Sequence, residues 1–145
     1  MKRIFMIEDN EDHALLIRRA VESDGCAVTH YPDGPTALKA CEKIQSPDER
    51  ADLILLDLKL PGMDGFEVLQ GLKKLKLFEQ VPVVMLTTSR RREEIDKAYQ
   101  LGASGFVVKA EDFAELVAKL KQVKEYWFSA VEPPYSMPVA SVREP

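Results

Sequence analysis

The sequence predicts an α/β protein with a doubly wound parallel sheet, and two observations predict it. Short apolar runs recur at Ile4–Ile7, Cys26–Val28, Leu53–Leu56, Val81–Leu86 and Phe106–Val108, with longer stretches of helical spacing between them. This is a β-α alternation repeated five times. The first, third and fourth runs are nearly continuous in apolar character, as strands are when helices cover both faces of a parallel sheet.

In chain order, the first helical stretch carries an apolar stripe of Leu16, Ile17, Ala20 and Val21, and the second one of Ala37, Leu38, Cys41 and Ile44. The third carries Phe66, Leu69 and Leu72, and charged residues fill the other faces of all three. Pro35 after Gly34 suits a first helical turn. Ser89 is expected to cap a fourth helix over Arg90–Leu101, with Gly102 as its C-terminal stop. A final helix is expected from Asp112 to Phe128, with Phe113, Leu116, Val117, Leu120 and Val123 on its packed face. Pro133, Pro134 and Pro138 forbid its continuation.

At 145 residues, 46% hydrophobic and 30% charged, the chain has enough material for one core and too little for two ordinary domains. The division expected is a domain over 1–128 and a Pro-containing tail over 129–145, with no output domain. A net charge of −4 supplies no field favouring nucleic acid. Cys26 and Cys41 stand apart without a CxxC pair, and His13 and His30 lack the spacing of metal ligands, so reduced structural cysteines are expected. Met1–Arg3 runs straight into an apolar stretch that Glu8 and Asp9 interrupt, far short of a signal or membrane segment. The expectation is a cytoplasmic protein without membrane contact.

In an open parallel sheet, ligands bind beyond the carboxyl ends of the strands. The first apolar run is followed by Glu8 and Asp9, the third by Asp57, the fourth by Thr87 and Thr88, and the fifth by Lys109. An acid at a strand end is often a helix cap, but here every strand end that carries a polar group brings it to the same edge. Two carboxylates ~4 Å apart repel by roughly 4 kcal/mol at an effective dielectric of about 20, so packing Glu8, Asp9 and Asp57 together calls for a cation. An all-oxygen donor set suits Mg²⁺. Asp57 then has the position of a nucleophile toward phosphorus, with Lys109 opposite to neutralise charge on the transferring oxygens. Thr87, ahead of Thr88, is the hydroxyl placed to bond a phosphoryl oxygen.

These residues resemble the response-regulator receiver family through IEDN (Ile7–Asn10), LILLDLKLPGMDGFEVL (Leu53–Leu69), PVVMLTTS (Pro82–Ser89) and GFVVK (Gly105–Lys109). The resemblance covers roughly residues 2 to 126. It implies a CheY-like, flavodoxin-like strand order of 2-1-3-4-5, with Asp57 as phosphoacceptor and Glu8 and Asp9 as the acidic pair. It further implies Lys59 as the residue whose backbone carbonyl joins the Mg²⁺ shell while its ammonium points outward. Thr87 matches the switch hydroxyl and Phe106 the switch aromatic; plain strand packing is the alternative for Phe106.

One departure stands out: the family's lysine is normally followed by proline, often through a cis bond, whereas this chain has Lys109-Ala110. A non-proline cis bond would cost roughly 3 kcal/mol. A narrower resemblance, through EDNEDH, LTTS and VKEYWFSAVEPP, is to the small regulators that partner bacterial phytochromes. It implies a homodimer through the last helix and Tyr126, Trp127 and Phe128, which otherwise cap the domain's own core.

The function expected is phosphotransfer from a sensor histidine kinase to Asp57, read out through protein contacts. The chain would catalyse only its own phosphorylation and dephosphorylation. A phosphatase with an aspartyl-phosphate intermediate usually needs a second acid two residues on, where Lys59 stands. A phosphorylation-independent adaptor would not require Glu8, Asp9, Asp57, Thr87 and Lys109 together.

Overall fold

A computed structural model describes residues 1–132. Five parallel strands form one sheet in the order β2-β1-β3-β4-β5: β1 (Lys2–Ile7), β2 (Cys26–Tyr31), β3 (Leu53–Asp57), β4 (Val83–Thr87) and β5 (Gly105–Val108). Between them run α1 (Glu11–Val21), α2 (Gly34–Lys43), α3 (Gly65–Lys74) and α4 (Arg92–Gln100), and α5 (Phe113–Glu125) closes the series. The expected doubly wound architecture and strand order are both present.

Alternation along the central strands divides the core in two. Phe5, Ile7, Ile54, Leu56, Val83 and Met85 pack with Ala37 and Cys41 of α2, Phe66, Leu69 and Leu72 of α3, and Ala98 of α4. Ile4, Met6, Leu53, Leu55, Val84 and Leu86 pack on the other face with Ala14 and Ile17 of α1 and Leu116 and Leu120 of α5. Because successive side chains point to opposite faces, β3 must be apolar at every position before Asp57, and Leu53 to Leu56 are all buried. That is the reason for its continuous apolar run.

Helix starts follow local polar chemistry. Asn10 caps α1 by accepting the His13 N–H at 3.0 Å, and Asp33 caps α2 from Thr36 at 2.8 Å, with Pro35 inside the first turn. Asp64 and Glu67 form a reciprocal capping box at the start of α3.

Two expected helices differ from the sequence reading. α4 begins at Arg92 and not at Arg90, with Arg91 in the cap position and no side-chain cap. Cations at a helix start oppose the dipole, whereas Glu93 and Glu94 in the first turn favour it; Ser89 is engaged elsewhere. Gly102, at φ 104°, does stop the helix. The α-helical part of α5 ends at Glu125, and Tyr126–Ala130 is a π turn. Phe113 is 59% exposed and not on the packed face. It is the first residue after the Asp112 cap, and its side chain leans toward the helix N-terminus, ahead of the packed turns.

Cys26 and Cys41 are buried free thiols, and burial pushes Cys41 up to about 12, which makes it inert at neutral pH. Of the expected tail, 133–145 lies outside the described residues. Among the described residues, no helix is long and apolar enough to cross a membrane.

Candidate functional site

The same alternation that divides the core also assembles the polar cluster. Asp57 continues the parity of Leu53 and Leu55, Glu8 that of Ile4 and Met6, and Lys109 that of Val107, all on the α1 and α5 side. Glu8, Asp57 and Lys109 are therefore brought together beyond the sheet edge, each at most 7% exposed. Lys109 Nζ lies 2.6 Å from Glu8 Oε1 and 3.5 Å from Asp57 Oδ2. Carboxylate oxygens of Glu8, Asp9 and Asp57 all lie within 4.8 Å of one another, with Asp9 forming the exposed rim.

The backbone is fitted closely around Asp57. Its Oδ1 accepts the Lys59 N–H at 3.2 Å. Gly65 donates its N–H to Leu58 O at 2.9 Å. A Cβ on Gly65 would lie 2.5 Å from the Asp57 carbonyl oxygen and 2.6 Å from Leu58 Cα, so only glycine lets α3 begin this close to the acid. The Lys59 ammonium turns away from the carboxylates onto Glu94 Oε2 at 2.6 Å.

Burial, then the charge of Glu8, pushes Asp57 up to about 6 from 3.8, against the opposing pull of Lys109. Three carboxylates face one ammonium, which leaves two negative charges unbalanced in a largely buried cluster. The all-oxygen donors, their spacing and that imbalance fit a hard divalent cation.

Thr87 and Phe106 have the opposite parity and face the α4 side. Thr87 is fully buried, whereas Thr88 is exposed. The Thr87 Oγ1 accepts the Ser89 N–H at 3.3 Å, and its carbonyl accepts the Lys109 N–H at 2.7 Å. Phe106 is half-buried against the α2–α4 core and lines an open groove with Arg90, Tyr99, Lys119, Tyr126 and Trp127. The Lys109–Ala110 peptide is trans, as no cis bond occurs among the described residues.

Residues 4–121 match the Response regulator receiver domain family. This chain belongs to that family. The receiver is 35% identical to the probable methanogenesis regulatory protein FilR2 of Methanothrix harundinacea, over 86% of this chain and 82% of FilR2. It spans about half the length of the next curated relatives. Among solved structures it is similar to the phosphorylated cyanobacterial phytochrome response regulator RcpA, at TM-score 0.84 and 33% identity over 92% of this chain and 99% of RcpA. The Mn²⁺-bound response regulator Rcp1 superposes at TM-score 0.80 and 28% identity, over 93% of this chain and 100% of its own.

Four residues of the receiver site escaped the sequence reading. His13 Nδ1 lies 3.1 Å from Lys109 Nζ. His30 Nε2 donates to the Glu8 carbonyl at 2.7 Å. Ser89 donates its hydroxyl to Glu94 and accepts the Arg91 N–H at 3.3 Å, so Ser89 and Glu94 tie the loop after β4 to Lys59. The one available signal was His13 itself, in the first turn after the acid pair. Ser89 is not the cap of α4: Arg91 holds that position, and the Ser89 hydroxyl bonds the Glu94 side chain in the first turn and the Arg91 N–H.

Proposed function

We propose that this receiver accepts a phosphoryl group from a sensor histidine kinase onto Asp57, in the cytoplasm, and signals through protein contacts. The observation that carries the reading is the buried Asp57 carboxylate lying within 4.8 Å of Glu8 and Asp9 oxygens and 3.5 Å from the Lys109 ammonium.

An Asp57 Oδ attacks phosphorus of the kinase phosphohistidine; the O–P bond forms, the P–N bond breaks and the imidazole departs. Glu8, Asp9, Asp57 and the Lys59 backbone carbonyl would hold Mg²⁺, which when bound neutralises charge on the transferring oxygens. The Lys109 N–H directed at Asp57 Oδ2 meets an oxygen of the arriving group. Desolvation around Asp57 strengthens each of these interactions. The same groups, with water as acceptor, return the carboxylate, so the chain acts only on its own modification.

Thr87 is the switch hydroxyl. Its oxygen accepts the Ser89 N–H while its own O–H is the donor for the phosphoryl group, and Phe106 turns inward as Thr87 moves toward that group. To invert a 1:99 equilibrium, phosphorylation must favour the second state by ~5.5 kcal/mol. A bacterial phytochrome as the kinase is supported by the likeness to RcpA. A homodimer through the last helix is supported by exposed Tyr126, whose ring meets Trp127 edge-on at 5.2 Å; Trp127 and Phe128 also pack on this chain's own core. Light scattering on Trp127→Ala and Phe128→Ala decides the dimer, and an unchanged dimer mass for both removes these residues from it.

The test of the phosphoacceptor is intact-protein mass after incubation with acetyl phosphate and Mg²⁺. One phosphoryl adduct is expected on the wild type, none on Asp57→Asn and none with chelator. An adduct that persists on Asp57→Asn would refute the assignment.

A further inference from the structure

Lys109 carries an ammonium with three N–H donors and no acceptor. Its side chain is 4% exposed, so protein groups must take those donors. Three acceptors surround it: Glu8 Oε1 at 2.6 Å, His13 Nδ1 at 3.1 Å and Asp57 Oδ2 at 3.5 Å. Two are acids of the cluster already described, and the third is a neutral ring that the phosphotransfer reading leaves without a role.

Local structure brings His13 there. Asn10 caps α1 through the His13 backbone N–H, which fixes His13 as the third residue of the helix. Side chains in a helix lean toward its N-terminus, and this N-terminus lies beside the acid pair at the end of β1. The ring is therefore carried back over the cluster, not out along the helix. Because an ammonium only donates, Nδ1 must be unprotonated, and the ring proton sits on Nε2. Burial and the charge of Lys109 both lower the pKa of His13, which favours that neutral ring.

We propose that His13 is a positioning residue for Lys109: its Nδ1 holds one N–H of the ammonium so that another stays directed at the phosphoryl site on Asp57. Without this acceptor, the ammonium has only the two carboxylates to choose between, and the shorter bond is to Glu8. The arm toward Asp57, already the longest of the three, is the one that loosens. The inference rests on Asp57 being the phosphoacceptor.

The experiment follows the rate of phosphorylation by acetyl phosphate with Mg²⁺ in wild type, His13→Ala and His13→Gln. His13→Ala should react about ten- to a hundredfold more slowly, the worth of one hydrogen bond to a charged group. His13→Gln keeps an acceptor oxygen and should recover to within about twofold of the wild type, a rescue that a merely space-filling role would not give. In parallel, ¹⁵N NMR of the wild-type ring should show Nε2 protonated and Nδ1 bare. A His13→Ala rate equal to wild type, a His13→Gln rate as slow as His13→Ala, or a proton on Nδ1 overturns the proposal while leaving Asp57 as acceptor. A wild type that takes no phosphoryl group overturns the phosphoacceptor assignment, and the positioning role falls with it.

Discussion

α1 and α4 both begin at the functional edge of the sheet, but they are attached by different physics. α1 buries Ala14, Ile17, Ala20 and Val21, whereas α4 buries Ala98. Polar contacts supplement that thin attachment of α4, with Glu94 bonded to Lys59 and Ser89 at the mouth of the site. Apolar burial is stable against small changes of charge, while exposed ion pairs contribute little and are easily exchanged. The helix beside Glu8, Asp9 and His13 is thus a fixed support. The helix beside Thr87 and Phe106 has the thinner apolar attachment, the kind from which moving elements are drawn, as the proposed switch requires.

The largest effect should come from breaking the support. Ile17 is fully buried, and Ile17→Ala is expected to cost about 2–4 kcal/mol in denaturant unfolding. A loss no greater than that of an exposed substitution would contradict the assignment of α1 as the anchored helix.

Asp57→Asn should act in the opposite direction. The folded chain holds the Asp57 proton more tightly than the unfolded chain does, with a pKa of about 6 against 3.8. This group therefore costs stability as pH rises through that window, and the cost is complete above about pH 6. With chelator present at pH 7, Asp57→Asn should be more stable than wild type by roughly 1–3 kcal/mol, and the difference should shrink toward pH 4. Added Mg²⁺ should stabilise wild type more than the variant. A variant less stable than wild type at pH 7 without metal would show that the cluster is not under charge strain.

Glu94→Gln sharpens the contrast with the smallest global effect. Loss of the contacts to Lys59 and Ser89 should change unfolding stability by less than ~1 kcal/mol. Amide exchange in α4 should nevertheless quicken while α1 is unchanged. Equal quickening in both helices would mean that α4 is not a separate unit.

The difference between the two sides also explains what was legible in the sequence. Glu8, Asp57 and Lys109 are each placed by strand parity and strand end, which local apolar runs reveal. The C-terminal stop of α4 is likewise readable at Gly102. The role of His13 depends on a partner 96 residues away, Lys109, so no local pattern shows it; the partners of Ser89 are near in sequence, but spacing does not tell a serine that caps a helix from one that bonds the Glu94 side chain. Phe113 was misread because apolar periodicity does not tell the first turn of α5 from the turns that meet the sheet.

The central claim is that a phosphoryl group on Asp57 moves the Thr87 side of the receiver and leaves the α1 side in place. Hydrogen exchange read by mass spectrometry, on a sample with and without acetyl phosphate and Mg²⁺, tests it most directly. The prediction is altered protection in the segment from Thr87 through α4 and in β5, with α1 unchanged and no alteration in Asp57→Asn. Unaltered exchange around Thr87 in a sample that carries the adduct, or a change confined to α1, would contradict it.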